Sequence, residues 1–196
     1  MRSYIKDQIK KSYETKQTIY KDDVLLDKIE DVARRCVALY KTDRKTILAG
    51  NGGSAADAQH IAAELVGRYG FDRPSIPSLA LTTDTSNLTA IGNDYGYNQV
   101  FSRQLAGMGQ EGDIFFGIST SGNSQNIINA FEVAKEKGIT TVALVGRDGG
   151  KMAQMADVAL IVPSDFTPRI QESHILIGHI LCDIIEKETF GEGVGV

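Results

Sequence analysis

Thr46-Ile47-Leu48-Ala49-Gly50-Asn51-Gly52-Gly53-Ser54 joins an apolar run to a glycine-rich turn and the first residue of a helical pattern. The run has no polar alternation, so it reads as a strand covered on both faces, as in a parallel sheet. Behind the turn, residues 54–67 place Ala55, Ala58, Ala62 and Leu65 on one helical stripe. Strand, turn and helix make the repeating unit of a doubly wound α/β sandwich. The unit recurs downstream. Apolar runs stand at 78–81, 113–118, 141–145 and 158–162, and helix-like segments at 124–137 and 150–155. Five parallel strands are expected, with ligands bound at their carboxyl ends, where the unusual loops lie.

Upstream, residues 3–41 contain neither glycine nor proline and carry charges throughout. Ile5 and Ile9, then Leu25, Leu26, Ile29, Val32, Ala33 and Val37, recur at helical spacing, with a break and new N-cap at Asp22-Asp23. Residues 1–43 are therefore expected to form a two-helix arm packed on the core or on a neighbouring subunit, and 44–196 the α/β domain. In bulk, 196 residues suit one such domain with helical decoration. A net charge of −4 argues against a broad nucleic-acid surface, though not against a local anion site built from backbone N–H groups. Cys36 and Cys182 belong to no CxxC pair, which argues against a disulfide framework or thiolate zinc site. No apolar stretch is long enough to span a membrane, and Met1–Asp7 lacks a signal-peptide core, so the expected location is cytoplasmic.

Two loops follow strands and precede helices. Gly50–Ser54 lets the backbone approach a ligand, with Ser54 available as a helix cap, but similar turns also occur that bind nothing. Ser119-Thr120-Ser121-Gly122-Asn123-Ser124 puts four hydroxyls in six residues at a helix start. That is more than capping needs. It lacks the Gly-Lys-Ser/Thr ending of a nucleotide loop and the GxGxxG of a dinucleotide site, so a phosphate monoester fits best.

His60 and Glu64, four apart, share one helix face, flanked by Ala56, Ala63 and Gly67. Such a pair can hold a divalent metal or run acid–base chemistry, although most are solvated helix surface. In the last helix, Ile175–Cys182 is apolar except at Gly178 and His179, which predicts a helix covered on all sides with an imidazole that must be hydrogen-bonded or ligated. His174 lies about 140° away around that helix and reads as structural.

Asn51-Gly52-Gly53-Ser54, the Ser119–Ser124 loop, Arg169-Ile170-Gln171-Glu172, Thr82-Thr83-Asp84 and Gly92-Asn93-Asp94-Tyr95-Gly96 together resemble the sugar isomerase (SIS) domain family, and within it the isomerases of heptose phosphates. The resemblance spans nearly the whole chain. It implies a five-stranded, flavodoxin-like parallel sheet and a homotetramer with active sites at subunit boundaries. It also implies zinc held by His60, Glu64, Gln171 and His179, with Glu64 and His179 as the acid–base pair. Substrate contacts are implied for Asn51, Gly52, Gly53, Ser54, Glu64, Asn93, Asp94, Ser119, Thr120, Ser121, Ser124 and Gln171. Arg68 is a further candidate for the phosphate. The implied reaction interconverts sedoheptulose 7-phosphate and D-glycero-D-manno-heptose 7-phosphate, the first step towards nucleotide-activated heptose. Rivals are a non-enzymatic relative that binds a replication initiator, which should lack Glu64 and His179, and an isomerase or sensor of hexose phosphates.

Overall fold

The computed structural model describes residues 1–191, and the last five residues of the expected 44–196 domain lie outside them. Two helices lead, α1 (Arg2–Tyr20) and α2 (Asp23–Leu39). The Asp22 side chain accepts a hydrogen bond from Leu25 N at 3.0 Å and so caps α2 where the sequence places the break. Leu25, Ile29, Val32, Ala33, Cys36 and Leu39 form the buried stripe of α2. α1 buries only Ile19 and leaves Ile5 and Ile9 56% and 60% exposed.

The strands are β1 (Thr46–Gly50), β2 (Ser78–Ala80), β3 (Ile114–Ser119), β4 (Thr140–Gly146) and β5 (Val158–Val162). All neighbours pair in parallel, in the order β2-β1-β3-β4-β5. The intervening helices are α3 (Gly53–Val66), α4 (Thr85–Tyr95), α5 (Val100–Met108), α6 (Gln125–Glu136) and α7 (Gly150–Met155), and α8 (Thr167–Phe190) closes the fold. One apolar core lies where α2, α3 and α8 cover one sheet face, and a second where α5, α6 and α7 cover the other. Burial on both faces is why the strands read as unbroken apolar runs. Chain direction away from β1 reverses between its neighbours β2 and β3, so the loops after β1 and β3 flank the topological switch point.

Two expectations need correction. α8 is not covered on all sides: Ile180 is 39% exposed and His179 is half-buried. The fully buried imidazole is His174, on the opposite, sheet-facing part of α8. The sheet covers only one side of a helix laid upon it, whatever the helix's composition. In addition, residues 82–112 hold α4 and α5, to which the sequence pattern assigns no element. No helix among the described residues is long and apolar enough to cross a membrane.

Candidate active site

α3 begins at the carboxyl end of β1, and α8 packs directly beside it. Their contact is close because residue 178 is glycine: a Cβ there would collide with the Ile61 side chain. This approach brings His179 of α8 to the face of α3 that carries His60 and Glu64. His60 Nε2 lies 3.0 Å from Glu64 Oε1, and His179 Nε2 lies 3.3 Å from His60 Nε2. Ligand atoms of all three residues fall within 4.8 Å of one another. The imidazoles meet edge to face, with centroids 4.9 Å apart, and the Tyr69 ring is 5.8 Å from that of His179.

The donor set, two imidazoles and a carboxylate, suits a divalent metal ion such as zinc. Around a tetrahedral ion with bonds near 2.0–2.1 Å, ligand atoms stand about 3.4 Å apart. The observed separations of 3.0 and 3.3 Å are close to that spacing. Two facing imidazole nitrogens also repel as lone pairs unless a proton or a cation lies between them. Gln171 occupies a different place. Its amide rests against Gly53, where a Cβ would overlap it, and its backbone lies about 12 Å along α8 from that of His179.

The glycine loop is fixed by partners that the sequence reading missed. Asn51 and Asn126 exchange two amide hydrogen bonds of 2.9 Å, and Tyr97 OH donates to Asn51 Oδ1 at 3.1 Å. These partners stand 75 and 46 positions away, so no local pattern announces them. Ser54 is buried inside α3 and does not cap it; the N-cap is Gly52, with φ of +57°.

In the second loop, Ser119 Oγ lies 2.9 Å from Ser124 Oγ and 3.5 Å from Ser121 Oγ. Ser124 is the N-cap of α6, yet its side chain makes no capping bond. Its hydroxyl turns towards Ser119, at the start of α6, where helix N–H groups point outward. Gly122, at φ +64°, lets the loop seat on Gly149, whose carbonyl oxygen a Cβ would strike. Thr120 is half-buried next to these hydroxyls in the chain.

The remaining candidates are exposed and lie on other segments. Asn93 donates to Asp94 Oδ1 at 2.8 Å on the exposed last turn of α4, and Arg68 is exposed just beyond α3. A further unanticipated group is Asp57, one turn before His60. Burial raises its pKa to about 6 against the opposing influence of His60, and its Oδ2 has no hydrogen-bond partner.

Comparison with known proteins identifies the family. The SIS domain family model matches residues 14–146. The chain is 82% identical to the phosphoheptose isomerase of Sulfurimonas denitrificans over 99% of this chain and 100% of that one. It is 60% identical to the phosphoheptose isomerase of Aneurinibacillus thermoaerophilus over 97% and 96% of the two chains. Among solved structures, the phosphoheptose isomerase of Neisseria gonorrhoeae superposes with a TM-score of 0.89 at 46% identity, covering 95% of this chain and 98% of that one.

Proposed function

The chain belongs to the SIS domain family and is a sugar-phosphate isomerase of heptose biosynthesis, and from that premise we propose that it interconverts sedoheptulose 7-phosphate and D-glycero-D-manno-heptose 7-phosphate through an enediol. The observation that carries this reading is the meeting of a carboxylate and two imidazoles on the α3–α8 face, in a chain whose loops after β1 and β3 are suited to a phosphate ester.

In this reading the Ser119, Thr120, Ser121 and Ser124 hydroxyls and the N-terminus of α6 hold the phosphate, with Arg68 assisting. The Asn51–Ser54 loop, Gln171, Asn93 and Asp94 orient the carbon chain. Gly53 and His60 are seven residues apart, about 10 Å along α3, a span that an extended ketose phosphate covers. Glu64 takes the proton from C1, and His179 acts as the acid–base partner that delivers one towards C2. His60, Glu64 and His179 would hold zinc, while Gln171, whose amide rests against Gly53, lies with the substrate-orienting groups instead of completing that set. Zinc, when bound, supplies a Lewis acid for the carbonyl and for negative charge developing on oxygen.

The protein acts in the cytoplasm as a homotetramer with active sites at subunit boundaries. Exposed Tyr4, Ile5, Ile9 and Tyr13 on α1, together with the open His179–Ile180 face of α8, support association. Cys36 and Cys182, both buried free thiols, are in keeping with a reducing compartment.

Purified protein offered five-, six- and seven-carbon ketose phosphates should turn over the seven-carbon one best. Glu64→Gln should lower kcat by about 10²–10⁴-fold, while calorimetry still detects binding of sedoheptulose 7-phosphate. Preference for a six-carbon substrate would overturn the assignment, and equal loss of binding would reduce Glu64 to a structural role.

A further inference from the structure

A second ionic assembly lies out of sight of solvent, behind the His60–Glu64–His179 cluster. Arg73 and Glu186 form an ion pair of 2.9 Å in which each side chain is only 1% exposed. Arg73 belongs to the loop that joins α3 to β2, and Glu186 to α8, seven residues after His179. Seven residues are nearly two turns, so Glu186 and His179 stand on the same side of α8.

Both partners are saturated with further bonds. Glu186 Oε2 accepts from Tyr69 N at 2.8 Å, and Oε1 accepts from Gly70 N at 2.6 Å and Phe71 N at 3.1 Å. The Arg73 guanidinium donates to Glu64 O at 2.9 Å, Leu65 O at 2.7 Å, Gly67 O at 3.2 Å and Pro74 O at 3.0 Å. The last carbonyls of a helix have no partner of their own and favour a cation. Arg73 therefore completes the final turn of α3, the turn that carries Glu64. A single guanidinium thus touches the backbone of Glu64 and the carboxylate two turns beyond His179. Glu186 in turn fixes the backbone of Tyr69, whose ring rests on His179. Burial alone would raise the Glu186 pKa, but the three N–H bonds and Arg73 hold it below the ordinary value.

We propose that Arg73 and Glu186 are positioning residues that set the separation of Glu64 from His179, and through it the cation affinity and the proton-transfer rate of the cluster. The inference rests on the isomerase reading for its kinetic part only. Cluster geometry is sensitive: a misplacement of about 1 Å can cost about 10²-fold in rate, and loss of a group that orients metal ligands typically costs about 10–100-fold in affinity.

Two variants of the full-length protein test this, Glu186→Gln and Arg73→Lys, with Ile139→Ala as a control. Ile139 is buried at the amino end of β4, at the far edge of the sheet from the loops, so its loss reports destabilisation alone. Each positioning variant should lower kcat by about 10²-fold with KM little changed, and weaken zinc by about 10–100-fold in competition with a chromophoric chelator. Glu186→Asp should restore part of both. The control should melt lower yet keep wild-type kcat and zinc affinity. Positioning variants that behave like the control would overturn the proposal. If Glu186→Gln does not fold, Arg73→Lys, which keeps the charge but loses the fan of donors, decides by the same criteria. Wild-type protein inert towards every ketose phosphate would sink the isomerase reading, and the chelator competition would then judge the positioning claim alone.

Discussion

Ser124 shows how a single hydroxyl separates two explanations of one sequence pattern. A serine before a helix is ordinarily a cap, and losing one costs about 1 kcal/mol. Here the side chain faces Ser119 at 2.9 Å and makes no capping bond. Ser124→Ala should therefore shift the melting temperature little while weakening sugar-phosphate binding by about tenfold, as loss of a hydrogen bond to a charged group predicts. A variant with a lowered melting point and intact binding would return Ser124 to a capping role. At this scale the legible residues were those whose partners lie within one helical turn or one loop. His60 and Glu64 announce each other through their spacing, and the hydroxyls through their density. Tyr97, Asn126, Arg73 and Glu186 were silent, because their partners are remote in the chain and each residue type alone is ordinary.

Among the elements, α8 has two chemical sides. One turns His179 outward; the other presses His174 onto the sheet near Val145. Burial pushes the His174 pKa down to about 4, against a smaller opposing pull from the Val145 backbone. Because the folded value lies below the 6.5 of the unfolded chain, the unfolded state takes up the proton first. The stabilisation from keeping His174 neutral is complete above about pH 6.5 and is lost as pH falls through 4, a change of about 3 kcal/mol. Asp57, raised to about 6, has the opposite sign: its protonation favours the folded state below that pH. Denaturant titrations between pH 4 and 7 on wild type and His174→Gln separate the two. The variant should lose the decline at low pH, and an unaltered profile would place the acid sensitivity elsewhere. Elements were legible where burial is one- or two-sided and periodic, as in the five strands and in α2, α3 and α6. α4 escaped because it buries no residue fully; Leu88 and Ile91 pack only in part on the second core.

For the whole molecule, the strand order was legible only through resemblance, since a run of parallel strands is compatible with several orders. Quaternary structure is argued from what one copy leaves uncovered. The α1 residues Tyr4, Ile5, Ile9 and Tyr13 are each more than half exposed. Sedimentation equilibrium should give four copies, and Ile9→Asp should dissociate them with loss of activity; a fully active monomer would refute the assembly. The docking of α8 on α3 has one more consequence, for synthesis. A polypeptide emerges from the ribosome amino end first. Both phosphate-type loops and the first two members of the cluster emerge long before residue 179. The nascent chain can therefore assemble much of its scaffold while the His60–Glu64–His179 cluster stays incomplete until α8 arrives, so on the proposed reading competence comes last.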